Sequence, residues 1–220
     1  MSKLQDVENA VVSGKSKLVA GLVQEALDEG CSAPDILNGM INAMGIVGER
    51  FKKNEIFVPE MLVAARAMKK GVDVLKPHLA SGSAGVCGKA IIGTVAGDLH
   101  DIGKNLVAMM IESAGFEVID LGVDVPVEKF IETVKANPDV KIVGCSALLT
   151  TTMPALKSTV EALNAEDFRS HIKVMVGGAP ITQEFANEIG ADAYTPDAAS
   201  AAQKAKDLAP DLLIAGEMQF

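Results

Sequence analysis

Residues 90–105 read AIIGTVAGDLHDIGKN, and this stretch decides the fold. Its first seven residues are apolar apart from one Gly and one Thr, which is typical of a fully buried strand. A Gly-Asp pair then marks a turn. The apolar residues between positions 101 and 114 recur at the spacing of a helix. We therefore predict a strand, a short loop and a helix, which begin a parallel strand–helix–strand unit.

The same alternation continues to the end of the chain. Further strands are predicted at residues 116–121, 141–146, 173–176 and 191–194, and helices at residues 127–136, 153–165, 181–189 and 198–208. Alternating apolar strands and helices form a parallel sheet that is covered on both faces. Residues 89–220 are therefore predicted to be a flavodoxin-like (Rossmann-like) α/β domain with five parallel strands.

The first part of the chain, residues 1–80, has a different periodicity, because its apolar residues return every three or four positions. Ser32, with Asp35 three residues later, has the pattern of a helix cap. Pro59 follows a polar turn, where another helix would begin. Four helices with short connections predict a small antiparallel bundle. Residues 81–88 are mostly small, and we predict that they link the two domains.

The composition limits the classes of function. The chain has 220 residues, of which 49% are apolar and 22% charged, as in a globular protein. A net charge of -9 argues against a nucleic-acid partner, which would need clustered Lys and Arg. No apolar run approaches the length of a membrane span, and the first residues lack the apolar run of a signal peptide, so we expect a cytoplasmic protein. Three widely spaced cysteines predict no disulfide framework, and Cys145 is expected to be a buried, inert thiol.

The loop after the first strand carries the candidate chemistry. In parallel sheets, ligands bind beyond the carboxyl ends of the strands, where the strand order reverses. Asp98 is placed to accept a hydrogen bond from one ring nitrogen of His100, which would leave the other nitrogen free for a metal. Gly103 would let a bulky ligand approach the backbone. The alternative is an ordinary Asp cap beside a solvent-facing His.

The loop excludes two common kinds of site. It lacks the spacing of a phosphate-binding P-loop. It also offers too few ligands for a closed zinc site, because no Cys or second His is near in sequence. A single protein ligand suits a metal whose other positions are filled by a macrocycle.

Two further strand ends carry small and hydroxyl-bearing residues. Ser146 opens a Ser/Thr-rich stretch after the third strand, and Gly177-Gly178 follows the fourth. Taken singly, these are a helix cap and a plain turn. Together with the first loop they could surround a hole that accommodates a phosphate and an aromatic base.

These features resemble the cobalamin-binding family that includes methionine synthase and the corrinoid proteins of methanol, methylamine and aryl-ether demethylation. The family pattern D-x-H-x-x-G is matched at residues 98–103, S-x-L at residues 146–148 and G-G at residues 177–178. The stretch MGIVGERFKKNEIFVPEMLVAARAMKKGVDVL, residues 44–75, resembles the helical cap of that family. The resemblance therefore covers nearly the whole chain.

The resemblance implies a cobalamin or related corrinoid, bound with its own base displaced and His100 as the lower axial ligand of cobalt. It implies that Asp98 and Ser146 form a proton relay with His100. The residues that it implies for cofactor binding are Asp98, Leu99, His100, Asp101, Ile102, Gly103, Ser146, Leu148, Thr150, Gly177, Gly178, Tyr194, Thr195, Met44, Phe51 and Val58. Phe51 and Val58 match family positions that cover the upper face of the corrin. His100 would lie beneath cobalt, and the nucleotide tail would pass Ser146, Leu148, Gly177 and Gly178.

The resemblance also implies a methyl carrier that alternates between methylcobalamin and cob(I)alamin. The expected partners are a substrate:corrinoid methyltransferase, a corrinoid:tetrahydrofolate or corrinoid:thiol methyltransferase, and a reductive-activation protein. The chain shows no evident site for activating a methyl donor, so we expect catalysis to need these separate proteins. The alternatives are a corrinoid-dependent sensor or regulator, the cobalamin-binding subunit of a mutase, and a flavodoxin-like domain without a cofactor.

Overall fold

The computed structural model describes residues 3–79 and 87–216, and the side chains as far as residue 209. The chain divides into two compact units, of which the first comprises residues 1–86 and 113–115 and the second the remaining residues from 87 onward. Residues 81–86 of the predicted linker lie outside the described residues, so the linker remains a prediction. Among the described residues, no helix has both the length and the apolar character needed to cross a bilayer.

The first unit contains the four predicted helices: α1 (Lys3–Val12), α2 (Ser16–Asp28), α3 (Ala33–Lys52) and α4 (Val58–Leu75). Helix α1 packs on α2 and α3, and α4 packs on the same two helices. The cap at Ser32 is confirmed, because its hydroxyl accepts a hydrogen bond from the Asp35 amide at 3.2 Å. Helix α4 begins one residue before Pro59, and a short 3-10 helix, Lys76–His78, follows it.

The second unit is the predicted parallel sheet. Its strands are β1 (Lys89–Val95), β2 (Glu117–Val125), β3 (Val140–Ser146), β4 (Lys173–Gly177) and β5 (Ala193–Tyr194). Their order is β2-β1-β3-β4-β5, and every pairing is parallel. The order reverses between β1 and β3, which makes that edge the expected ligand position.

Five helices connect and cover these strands: α5 (Ile102–Ser113), α6 (Val127–Ala136), α7 (Met153–Asn164), α8 (Gln183–Glu188) and α9 (Ala198–Gly216). The buried branched residues of β1, β3 and β4 form one core with Phe130 of α6 and Leu156 of α7. Cys145 lies in this core, and burial raises the pKa of its thiol to about 12. The predicted burial of Cys145 is therefore confirmed.

Strand β2 differs most from its prediction, which ended at residue 121. It pairs with β1 as far as Val125, with one extra residue on β2 between the Ile92–Asp120 and Gly93–Gly122 pairs. A second extra residue lies before the last pair, Val95–Val125. The predicted strand ended just before Gly122. This glycine has a φ of 85°, and it accommodates the irregular pairing within the strand instead of ending it.

Candidate functional site

The loops that follow β1, β3 and β4 carry the three sequence patterns, and they lie at one edge of the sheet. Strands β1 and β3 are neighbours, and β4 lies next to β3. Because the strands are parallel, their carboxyl ends lie on the same side. The sequence therefore correctly predicted that residues distant along the chain share this edge.

His100 and Asp98 form the predicted pair. Nδ1 of His100 lies 2.6 Å from Oδ1 of Asp98, and the His100 amide donates to the same oxygen at 3.1 Å. The imidazole is 48% exposed. Within the described part of the chain, its Nε2 has no hydrogen-bond partner. An anionic acceptor at Nδ1 keeps the proton there, which leaves the lone pair on Nε2 available to a metal.

The Asp98 carboxylate is fully buried and remains ionised. Burial alone would raise its pKa. However, hydrogen bonds from the Leu148 amide, the His100 ring, the Thr152 hydroxyl and the His100 amide outweigh burial and lower the pKa below the ordinary value of 3.8. Two donors contact each carboxylate oxygen. The group is therefore a fixed negative charge behind the imidazole.

The predicted link from Asp98 to Ser146 is wrong, because Thr152 takes that place. The Thr152 hydroxyl lies 2.8 Å from Oδ2 of Asp98 and 2.9 Å from the Leu149 carbonyl oxygen, and the ionised carboxylate is the stronger acceptor. The Ser146 hydroxyl instead lies 2.9 Å from that of Thr94. The chain turns after β3, and a 3-10 helix, Thr150–Thr152, brings Thr152 back over Asp98.

Thr94 is a second residue that the sequence did not reveal. Its hydroxyl donates to the His100 carbonyl oxygen at 2.9 Å, so it supports the loop through the backbone. Among the described residues, Ser146 is thus linked by hydrogen bonds to the loop that carries His100 through Thr94. A Thr in an apolar strand has no sequence signal beyond its polarity. Thr94 is 1% exposed in the structure, and a buried hydroxyl needs a hydrogen-bond partner.

Lys104 was also missed. Its side chain is 2% exposed and lies 2.6 Å from a carboxylate oxygen of Asp120 on β2. This ion pair holds the first turn of α5, just beyond Gly103, against the neighbouring strand. A buried lysine needs such a partner, but nothing in the sequence indicates which carboxylate supplies it.

The glycines of the three patterns serve different purposes. Apart from its own helix backbone and chain neighbours, a Cβ atom at Gly103 would meet no atom of the described residues within 4 Å, so there is open space at this position. At Gly177 it would lie 3.4 Å from the Thr195 carbonyl oxygen, which is tolerable. Gly178 has a φ of +133°, and a Cβ there would lie 1.8 Å from the carbonyl oxygen of Ala147. The protein itself therefore requires Gly178, whatever binds nearby.

Several large apolar side chains are exposed in the loops around His100. Leu99 is 73% exposed and Ile102 85% exposed. Leu148 and Leu149, after β3, are also exposed, and the next residue, Thr150, is exposed and polar. Asp101 is exposed as well, and its carboxylate accepts a hydrogen bond from the Asn105 side chain at 3.2 Å. Exposed apolar side chains on both neighbouring loops mark a ligand surface rather than a solvated turn.

Comparisons with known proteins agree with this geometry. Two family models match, each described as a B12 binding domain, over residues 4–76 and 88–206. The chain is 45% identical over 207 residues to the dimethylamine corrinoid protein of Methanosarcina barkeri, across 93% of this chain and 96% of the relative. The chain belongs to the B12-binding corrinoid protein family. It therefore binds a corrinoid cofactor, and it is a corrinoid protein of the kind found in methyltransferase systems.

Solved structures of family members show the same fold. A cobalamin-binding protein from Desulfitobacterium hafniense DCB-2 is 33% identical with a TM-score of 0.79, over 93% of this chain and 98% of that one. A chain of a methanol:cobalamin methyltransferase complex from Methanosarcina barkeri is 28% identical with a TM-score of 0.80, over 97% of this chain and 80% of that one. The predicted helical bundle and flavodoxin-like domain are thus confirmed as the family architecture.

The residues of the α/β unit fit a corrinoid. Among the side chains that the structure describes, no group of three or more His, Cys, Asp and Glu residues could hold a metal ion on its own. The edge instead presents one imidazole with a free Nε2, beside the exposed Leu99 and Ile102. This donor set suits a metal whose equatorial ligands belong to a flat, largely apolar macrocycle.

The remaining predicted contacts differ in exposure. Tyr194 is partly buried and packs on the core of the sheet, and the Thr195 amide donates to the Val176 carbonyl at 3.4 Å. In the helical unit, Phe51 is half-buried and Val58 is exposed, so both have surface for a ligand. Met44 is 4% exposed. Its side chain is enclosed by the helical unit, and its contact with the cofactor stays a prediction.

Proposed function

We propose that this protein carries a methyl group between two methyltransferases on a corrinoid whose cobalt would be held by Nε2 of His100. The observation that carries the proposal is the His100–Asp98 pair, in which a buried carboxylate takes Nδ1 and leaves an exposed imidazole free at Nε2. When bound, the corrinoid supplies a cobalt ion that accepts a methyl group from one protein and gives it to another.

Asp98 would orient His100 for this role. Its two oxygens are held by donors from two different loops, the Leu148 amide and the Thr152 hydroxyl on one side and His100 on the other. The carboxylate cannot rotate without breaking at least one of these bonds. A ligand fixed in this way reaches the metal without a further loss of side-chain freedom.

The same pair can store a proton. An imidazole must be neutral to bind a metal, so Nε2 can take a proton only when it releases cobalt. Asp98 remains negative, because its hydrogen bonds lower its pKa, and it would stabilise the imidazolium that results. The relay supported by the geometry is His100–Asp98–Thr152, with Thr152 as the donor to the far oxygen.

The nucleotide tail of the cofactor would lie between the loops after β3 and β4. Ser146 and Thr150 offer hydroxyls there, and Leu148 offers apolar surface. Gly177 and Gly178 present no side chains, although the Ala147 backbone fills the Cβ side of Gly178, and Tyr194 and Thr195 follow at the next strand. Such a mixture of hydroxyls, bare backbone and apolar surface suits a phosphate and an aromatic base.

The methyl donor is proposed to be a methylamine. Seven of the similar curated relatives are named dimethylamine corrinoid proteins, with identities of 42–48%. The partners would then be a methylamine:corrinoid methyltransferase and a methyltransferase that passes the group to tetrahydrofolate or a thiol. A separate protein would restore the reduced cofactor after oxidation.

The test is a reconstituted transfer. The reduced holoprotein is mixed with a dimethylamine methyltransferase and dimethylamine, and the visible spectrum of the cobalt is followed, with methanol and trimethylamine as alternative donors. Dimethylamine should methylate the cofactor rapidly, and addition of the acceptor methyltransferase should reverse the change. If no methylated amine or alcohol changed the spectrum while the cofactor was bound and reduced, the proposed carrier function would be wrong.

A further inference from the structure

We infer that Asp124, at the end of β2, is a positioning residue that holds the start of the histidine loop, residues 97–103, in its ligand-presenting conformation. The inference rests on the proposed ligation of cobalt by His100. It adds a residue from another strand, outside the three sequence patterns of the site.

Two hydrogen bonds join Asp124 to the beginning of the histidine loop. Oδ1 of Asp124 accepts from the Gly97 amide at 2.7 Å. The Asp124 amide in turn donates to the Asp98 carbonyl oxygen at 2.9 Å. One residue of β2 therefore holds the peptide group before Gly97 and the peptide group after Asp98. Asp98 is the residue whose side chain orients His100.

The irregular pairing of β2 with β1 places Asp124 there. Beyond Ile92, β2 carries two extra residues relative to β1, so the regular register is lost just before the strand ends. Such bulges change the direction of side chains, and they recur beside functional sites. In a regular ladder Asp124 would continue the pairing, whereas here its amide and its carboxylate both face the neighbouring loop.

The backbone at Asp124 is in a conformation that most residues avoid. Its φ is 52°, and the only other described residue besides glycine with a positive φ is Asn54. The left-handed region is disfavoured for residues with a Cβ atom, although Asp and Asn tolerate it better than others. A glycine would relieve this cost, yet the chain has a carboxylate here. The hydrogen bond from the Gly97 amide explains why, because only a side-chain oxygen at position 124 can accept it.

The other end of the loop is anchored separately. Lys104, just after Gly103, is held by Asp120 of the same strand. Loss of Asp124 should therefore free the Gly97 end alone and leave α5 in place. The expected effect is misplacement of the Asp98–His100 pair, not unfolding of the domain.

Asp124 has two properties, a positive φ and an acceptor oxygen for the Gly97 amide, and three substitutions separate them. Asp124→Gly accepts the positive φ but has no acceptor for the Gly97 amide. Asp124→Asn tolerates the same φ and keeps an acceptor oxygen. Asp124→Ala has neither property. Glu128→Ala removes an exposed carboxylate from the nearby helix α6 and serves as the matched control.

The first measurement is hydrogen exchange of the Gly97 amide in the cofactor-free full-length protein. Exchange should be roughly tenfold faster in Asp124→Gly and Asp124→Ala than in wild type, because the acceptor is lost. It should change little in Asp124→Asn and Glu128→Ala. Far-ultraviolet circular dichroism of each variant checks that the fold is retained.

The second measurement is the electron paramagnetic resonance spectrum of each holoprotein in the cobalt(II) state. The fraction of cobalt that shows coupling to a histidine nitrogen should fall in Asp124→Gly and Asp124→Ala and stay near wild type in Asp124→Asn. If Asp124→Gly matched wild type in both measurements, or if Asp124→Asn lost as much as Asp124→Gly, the positioning role would be overturned. Absence of the histidine signal in wild type would instead refute the ligation by His100.

Discussion

The hydroxyl of Thr152 donates to Oδ2 of Asp98 at 2.8 Å, across 54 residues of sequence. Both side chains are buried, and the opposite oxygen of the carboxylate contacts His100. This contact joins the loop after β3 to the loop after β1, at the point where the strand order of the sheet reverses. Thr152 is therefore a structural part of the site, although it lies outside all three sequence patterns.

Thr152→Val should destabilise the protein, because Asp98 keeps its buried charge and loses a donor. We expect the free energy of unfolding to fall by about 1.5–3 kcal/mol. Thr152→Ser keeps the hydroxyl and should lose about 1 kcal/mol or less. Urea unfolding followed by circular dichroism measures both. Ser146→Ala is the comparison. A larger loss of unfolding free energy in Ser146→Ala than in Thr152→Val would show that Ser146, and not Thr152, supports Asp98.

The lowered pKa of Asp98 predicts how stability depends on pH. A carboxyl group whose pKa is lower in the folded state contributes its full stability above the unfolded value of 3.8, and loses it as the pH falls from there towards the folded pKa. The difference in unfolding free energy between wild type and Asp98→Asn should therefore begin to fall as the pH drops below 3.8. Below pH 3.8 it should shrink by at most about 1.4 kcal/mol per pH unit.

Unfolding of the cofactor-free proteins at a series of pH values measures this difference. Asp101→Asn, which removes an exposed carboxylate from the same loop, is the matched control. A difference between wild type and Asp98→Asn that stayed the same from pH 6 to pH 2.5 would show that Asp98 has no lowered pKa.

Substitution by alanine should have different effects at two glycines of the site. Gly178→Ala should lose roughly 1–3 kcal/mol of stability even without cofactor, because the added Cβ would collide with the Ala147 carbonyl oxygen. Gly103→Ala should leave the stability of the cofactor-free protein nearly unchanged, because the space there is open. It should nevertheless weaken corrinoid binding, which spectroscopic titration measures. Wild-type affinity in Gly103→Ala would show that the loop does not contact the cofactor.

Cobalt(I) favours no axial ligand, so reduction of the holoprotein should release His100 and be accompanied by uptake of a proton. Protonation of Nε2 favours the released state, so the cobalt(II)/cobalt(I) potential should become less negative as the pH falls. The limit is about 59 mV per pH unit for one proton and one electron. Spectroelectrochemical titration at several pH values measures the slope, with His100→Ala as the control that should show none. A wild-type potential independent of pH near neutrality would contradict the relay.

The sequence predicted the elements well wherever local signals agree. The bounds of α6 were predicted to the residue, because apolar periodicity and the proline before it coincide. The end of β2 was predicted four residues short, because irregular pairing with β1 depends on a neighbouring strand and has no local signal. Helix α9 likewise runs beyond its predicted end at residue 208, to Gly216.

The same distinction between local signals and long-range contacts holds for the site. Asp98 and His100 lie two residues apart, so their pairing could be predicted from the loop alone. Thr152, in the 3-10 helix after β3, lies 54 residues from its partner Asp98, and Asp124, on β2, lies 27 residues from its partner Gly97. Both contacts exist only in the folded chain. Ser146 was assigned to the relay because it belongs to a sequence pattern, yet the turn after β3 carries Thr152, six residues later, onto Asp98.

Ligation of cobalt by His100 is tested most directly by isotopic labelling. The holoprotein is prepared with histidine containing nitrogen-15 and an unlabelled corrinoid, and its electron paramagnetic resonance spectrum is recorded in the cobalt(II) state. If His100 is the ligand, the triplet splitting from nitrogen-14 becomes a doublet, and it is lost in His100→Ala. A triplet that survives the labelling would mean that the cofactor's own base still holds the metal, and would contradict the account.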